Sequence, residues 1–484
     1  MNILDRPIEP KGFRSMISRL TAYSLMIATC MTTAMGFDGP TAPSPAQQQP
    51  VSFLKDLAPI LVQNCIACHN TKKSEAKYVM TTFAQLAKGG KAGQGITLIP
   101  GDPDASYFVE SCQVDAEPRM PWKMDALPAS SIALIERWVK EGARYDGASP
   151  TEEWLVALRK LNPPVVPESY PSPVPITALA FGPDGSRVVA SGYHELTSWT
   201  TSDGALKERT KGIAERTHDI AFSPDGKWMA TAGGDPGQYG SVRLWSVAPD
   251  GVLTPSHEFP ETIDSVFAVA FSPDSTKLAA AGADRAVRVW EVATGKDLLT
   301  IEDHADWVFD IAWSPDGKRL ATASRDKTSK VFDAEKKEVL ATFPGHGDIV
   351  YCVSFAPDGK SVASGGNDNQ VRVWNPDDDG KQTKIVGGFG GAVFRLAFGP
   401  DGKTLVATGV DKTVRVFEDY NLKQTLSGHN DWIYSLGIAP DGKTFASGSW
   451  DGEVRLWTLP EGKPIRQFLA APGFPATTAK TANK

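Results

Sequence analysis

"VFDIAWSPDG", Val308 to Gly317, opens with alternating apolar residues and ends in a turn. The alternation suits a strand with one buried face. The Pro-Asp-Gly end suits a tight turn, because Pro presets φ and Gly accepts positive φ. A strand of small residues follows, "RLATASRD" at 319–326. A third strand ends on an aromatic residue, as in "AVRVWEV", "QVRVWNP" and "EVRLWTL", and a short fourth, such as "KDLLTIE", closes the unit. The turn recurs at Asp184, Asp225, Asp274, Asp316, Asp358, Asp401 and Asp441, in steps of 41, 49, 42, 42, 43 and 40 residues. A period of that length with only strand and turn signals predicts a β-propeller rather than a helical solenoid. Seven units predict seven blades.

From about Ile176 to Leu469 these residues resemble the WD-repeat family. The family's turn aspartate matches Asp284, Asp326, Asp368, Asp411 and Asp451, and its histidine matches His304, His346 and His429. Its strand-end tryptophan matches Trp245, Trp290, Trp374 and Trp457, with Phe332 and Phe417 in that place in units four and six. Because the three histidines share one repeat position, they are expected to bond strands within a blade, not to hold a metal. The first unit is degenerate ("SGYHELTSWT"), and the second carries the insertion "GGDPGQYG". The first unit begins and the last ends on a blade boundary, which predicts ring closure without strand exchange between the chain ends.

Upstream, the 484-residue chain changes character. Arg14 and Arg19 precede "LTAYSLMIATCMTTAMG", which has the length of an export-signal core and is short and polar for a membrane span. Residues 1–36 are therefore expected to be a signal peptide, with an uncleaved or lipidated anchor as the alternative, and 37–50 a Pro- and Gln-rich linker. The mature chain is then exported, to the periplasm or an equivalent compartment. Residues 51–150 show helical signals. Asp56 is a candidate cap for a helix running toward Asn64, and Ile132, Ile135 and Val139, widened by Leu134 and Trp138, form an apolar stripe that stops near Gly142. A second amphipathic piece and a Pro-rich linker occupy 151–175, the propeller 176–470, and a tail 471–484. The overall expectation is a multidomain chain: a small all-α domain followed by an all-β seven-bladed propeller. A net charge of -7 and only five cysteines argue against nucleic acid as a partner and against a disulfide scaffold.

The chemistry concentrates in "QNCIACHNT", Gln63 to Thr71. A zinc site needs a further ligand pair, and a redox dithiol needs a βαβ setting; neither signal stands nearby. Haem attachment needs only what is present: Cys65 and Cys68 for thioethers and His69 as proximal iron ligand. Metal, dithiol and haem-free readings remain as alternatives. For a sixth ligand, "EPRMPWKMD" offers Met120 and Met124, with Met120 preferred because Pro121 stiffens its loop; core filling is the alternative use of both.

"LAPILVQNCIACHN", "IPGDPDASYFVE", "EPRMPWK" and "IALIERWVKEGA" resemble the planctomycete-type cytochrome c domain, across about Val51 to Tyr145. The resemblance implies a class I cytochrome fold, one covalent haem c on Cys65, Cys68 and His69, Met120 as distal ligand, and electron transfer. Trp122 and Met124 replace the family's more usual residues beyond the distal Met, and Pro128 takes the cap position of the last helix. His194, His218 and His257 share no repeat position, and Cys112 stands alone. The leading expectation is an exported electron carrier rather than a catalyst, with a redox partner protein and with other proteins or peptides docking on the propeller. The alternatives are a scaffold with a vestigial haem, and a haem enzyme or sensor with an open iron.

Overall fold

The computed structural model describes residues 49–70, 75–90, 98–161, 165–237, 239–260 and 262–474. The signal segment, most of the linker at 37–50 and the tail beyond Phe474 lie outside them. No described helix is long and apolar enough to cross a membrane. The chain falls into two compact units, one up to Leu155 and one from Val156 onward.

Among the described residues up to Leu155, helices α1 (Ala58–Asn64), α2 (Phe83–Lys88), α3 (Tyr107–Glu110) and α4 (Ala129–Lys140) are joined by turns; α5 (Trp154–Leu161) begins at the end of this unit. The first helix starts earlier than its sequence signal. Ser52 is the cap, its Oγ accepting from Lys55 N–H at 3.0 Å, while Asp56 accepts from Ser52 N–H at 2.9 Å. A π-helical turn, Phe53–Leu57, then runs into α1. Asp56 thus supports a cap that it does not itself provide. On α4 the predicted stripe is buried at Ile132, Ile135, Trp138 and Val139. Phe53 is the hub of the core: its ring lies 5.2 to 5.5 Å from those of Trp154, Phe83, Trp138 and Tyr145. Each such fully buried ring contributes about 1.5–3 kcal/mol of apolar transfer. α4 stops where Gly142 takes φ +98°, which lets Ala143 N–H bond back to Trp138 O.

The second unit holds seven four-stranded antiparallel sheets, each made of four consecutive strands. We number these blades 1 to 7, at 179–211, 216–258, 266–301, 308–343, 350–386, 393–426 and 433–469. The degenerate first unit still forms a complete blade, and the insertion in the second lengthens a hairpin between Trp228–Asp235 and Tyr239–Val247. The inner strands pack pairwise around a closed ring, blade 7 meeting blade 1.

Closure uses packing, as the repeat phase predicts. Leu179, Phe181 and Trp199 of blade 1 share a buried cluster with Ala439, Ala446 and Leu456 of blade 7. Ile176 N–H bonds Ser449 O at 3.0 Å, and Tyr170 N–H bonds Pro472 O at 3.0 Å, so the segments flanking the ring also meet. Blade 1 replaces the missing aspartate turn with other chemistry. Glu195, fully buried, takes Arg209 at 2.8 and 2.9 Å and the Tyr170 hydroxyl at 2.5 Å.

Candidate functional site

The Cys-X-X-Cys-His turn grows from the end of α1. Cys65 and Ile66 N–H both bond Leu61 O, at 2.8 and 3.2 Å, and Cys65 O accepts from both Cys68 and His69 N–H at 3.1 Å. The motif is thereby wound into one turn, with Cys65 half-buried and Cys68 exposed. His69 Nδ1 lies 3.0 Å from Tyr78 O. A carbonyl only accepts, so Nδ1 carries the proton and Nε2 the lone pair. That is the tautomer of a metal-ligating imidazole whose other nitrogen is held by a backbone carbonyl. Met80 N–H returns to His69 O at 2.7 Å, and the buried Tyr78 hydroxyl donates to Leu86 O at 3.0 Å, so the segment facing His69 is itself anchored on α2.

Cys65 and Cys68 are not joined by a disulfide. Burial pushes the Cys65 thiol up to about 12, with nearby Cys112 and Cys68 adding to the effect. Burial likewise pushes buried Cys112 up to about 11, against a hydrogen bond with Ser111. A redox dithiol works through a lowered thiolate, and burial moves Cys65 the other way. Among the described residues the group able to gather three metal-binding side chains is His429, Asp451 and Glu453 in blade 7, where Arg455 already takes Glu453 at 2.7 Å. The donor set at 65–69, two thiols bracketing one turn and an imidazole that offers Nε2, is compatible with a c-type haem.

Met120 is half-buried, and its N–H bonds Ser111 O at 2.7 Å, next to Cys112. Met124 is 57% exposed, and its carbonyl accepts from Arg119 at 2.8 Å; Trp122 beside it is also 57% exposed. Met120 therefore sits on a chain segment tied toward the cysteines, whereas Met124 faces outward. The roles of the Tyr78 carbonyl and of Cys112 beside Cys65 had no motif to announce them: one is a backbone atom, the other a long-range neighbour.

In the propeller two of the three repeat histidines, His304 and His346, are internally satisfied. His304 joins Asp326 (2.7 Å) to Thr322 (2.7 Å), and His346 joins Asp368 (3.1 Å) to Ser364 (2.8 Å). Ser364 also receives Trp374 Nε1 at 3.3 Å. His429 repeats the Ser447 contact at 2.8 Å but stands 3.5 Å from Asp451. In blade 6, Phe389 occupies the histidine position and Arg415 reaches Asp411 at 2.6 Å instead.

Residues 65–122 match the family described as planctomycete cytochrome C, and residues 211–246, 253–291, 295–333, 337–375, 380–418 and 420–458 match the WD domain, G-beta repeat. Blade 1 lies almost wholly outside these matches, so the family model marks six repeats where the fold has seven blades. An uncharacterized WD repeat-containing protein of Synechocystis is 30% identical over 190 residues, covering 38% of this chain and 51% of its own. The mouse intraflagellar transport protein 122 homolog is 31% identical over 101 residues, 21% of this chain and 8% of its own. Periodic tryptophan protein 2 of Arabidopsis thaliana is 30% identical over 144 residues, 29% of this chain and 15% of its own. The chain thus spans about half the length, or less, of these curated relatives. Its WD propeller supports interaction with other proteins. By its repeats, its ring of seven blades and the match at 65–122, the chain is a WD-repeat β-propeller protein carrying a planctomycete cytochrome C segment.

Proposed function

We propose that this chain is an exported c-type haem electron-transfer protein whose propeller docks it on other proteins. In this reading Cys65 and Cys68 hold one haem c covalently, His69 is the proximal ligand, Met120 the distal ligand, and residues 51–150 form a small class I cytochrome domain. The observation that carries it is the 3.0 Å bond from His69 Nδ1 to Tyr78 O, which leaves Nε2 with the lone pair in the turn that carries both cysteines. Bound haem would supply a one-electron iron couple. The chain's own residues hold the imidazole in one tautomer, keep Cys65 half-buried and bring Met120 within the segment tied to Ser111. Met120 as a thioether ligand would raise the potential of such a group and leave it closed to small ligands, which favours a carrier over a catalyst.

The test is a pyridine haemochrome assay on the exported, purified chain, with spectra of the reduced protein before and after carbon monoxide. One covalent haem, a weak thioether band in the oxidised form and no response to carbon monoxide are expected; Met120→Ala should abolish the thioether band and open the iron, whereas Met124→Ala should change neither. Absence of covalent haem would overturn the reading. The second reading, an interaction scaffold without working haem, is favoured by the extent of the propeller and by the WD-repeat character of its relatives. It predicts that partner capture survives the loss of both cysteines.

A further inference from the structure

The inner strands of blades 2 to 7 share a feature that the repeat motif does not describe. In each, the register slips beside one residue: His218, Phe267, Phe309, Tyr351, Phe394 and Tyr434. A β-bulge leaves its extra residue unpaired and re-aims the side chain. Six consecutive bulges here each carry a ring. Successive rings touch from blade to blade, with centroids 5.2, 5.2, 5.2, 5.3 and 4.7 Å apart, the last pair stacked at 9°. Since the inner strands pack pairwise around one axis, the rings form a collar about it, open at blade 1, where Thr177 takes the matching sequence position. The collar is half-buried apart from the buried Phe394, and Trp450, 48% exposed, extends it 5.5 Å from Tyr434.

The polar groups around this collar favour a cation. Three residues before the ring, five of the six blades place a carboxylate: Glu215, Asp264, Asp306, Asp348 and Asp431, with Gly391 the exception. The last four of these aspartates are pinned by accepting the next N–H, at 2.7, 2.8, 2.8 and 2.9 Å. Next along the strand from three of the rings lie Arg395, Asp219 and Asp310, Arg395 reaching Asp310 at 3.3 Å and Asp219 at 3.8 Å, two carboxylates to one guanidinium. His218 Nε2 is buried there without a hydrogen-bond partner. The surface already holds one cation at its edge. Arg325 stands 4.8 Å over the Trp307 ring and 3.8 Å from Asp306. An aromatic face rimmed by carboxylates suits a guanidinium or ammonium group.

We propose that this collar binds a basic segment of a partner protein, seating one arginine or lysine side chain against it between Tyr434 and Phe309. The inference rests on the propeller as a docking surface and is independent of haem. It is tested on the full chain with the probe peptide acetyl-Gly-Gly-Arg-Gly-Gly-amide, its citrulline counterpart, which keeps the shape without the charge, and its leucine counterpart, by calorimetry and tryptophan fluorescence. The arginine peptide is expected to bind at least about tenfold more tightly than either control, since a desolvated cation–π contact is of that order. Trp450→Ala, at an exposed position, and Asp431→Asn should each weaken it severalfold with unchanged melting, and Tyr434→Leu should weaken it further. Equal binding of the three peptides, preference for leucine, or no detectable arginine binding would overturn the assignment. Partner capture by the propeller persisting in those cases would leave the docking reading intact.

Discussion

The propeller and the unit before it use histidine in opposite ways. In blades 4 and 5, His304 and His346 spend both ring nitrogens on Asp and Ser or Thr of their own blade, and nothing is left for a ligand. His69 spends only Nδ1 on a backbone carbonyl and keeps Nε2 in reserve in the turn that carries two cysteines. On the proposed haem reading, the difference separates imidazoles that hold a blade together from one that would hold a group.

The comparison breaks most sharply at the cysteines. Replacing Cys65 and Cys68 by Ala should remove all covalent haem, read by haem staining of a denaturing gel, while the unfolding transition of the propeller stays in place. A change in the propeller transition would show that the two units are not independent in this respect. Next in size is Arg395→Met, which leaves the side chains of Asp219 and Asp310, each under a quarter exposed, without their cation. Removing one partner of a buried ion group costs about 3–5 kcal/mol, measurable by urea unfolding, and adding Asp219→Asn and Asp310→Asn should restore much of it.

Smaller effects sharpen the histidine comparison. His346→Ala should cost about 1–3 kcal/mol by stranding Asp368 and Ser364, and His429→Ala less, because its aspartate lies at 3.5 Å. Acidification probes the same bonds. Burial alone would raise Asp326, Asp368 and Asp451, but hydrogen bonds from the paired histidines and neighbouring groups outweigh it and hold all three below the ordinary 3.8, Asp451 at about 2. A depressed carboxylate binds fewer protons folded than unfolded. Its stabilisation is complete above 3.8 and is lost as pH falls toward about 2. Melting followed from pH 5 to 2 should show this slope, and Asp451→Asn should flatten the part above about 2.

Much of this was legible because it is local. Pro-Asp-Gly turns, alternating strands and strand-end aromatics act over a few residues, so the repeat alone predicted blades, their phase and closure without strand exchange. The Cys65, Cys68, His69 spacing is equally local, since one turn determines where three side chains lie. The start of this helical segment was not legible, because Ser52 caps a π-helical turn ahead of α1 that no apolar period marks. Tyr78 was unreadable because it acts through its carbonyl.

What the sequence determined by itself is the repeat, the blade phase and a compact thiol-thiol-imidazole motif. Only the tertiary structure decided what the ring brings together. Arg395 meets the His218 carbonyl across 177 residues, and Glu195 finds Tyr170 and Arg209 to repair a blade that lacks its aspartate turn. The aromatic at each bulge was present in six of the seven units as an ordinary strand residue. It became a collar only when ring closure set six such residues about one axis, because contact between blades depends on curvature that no single repeat contains.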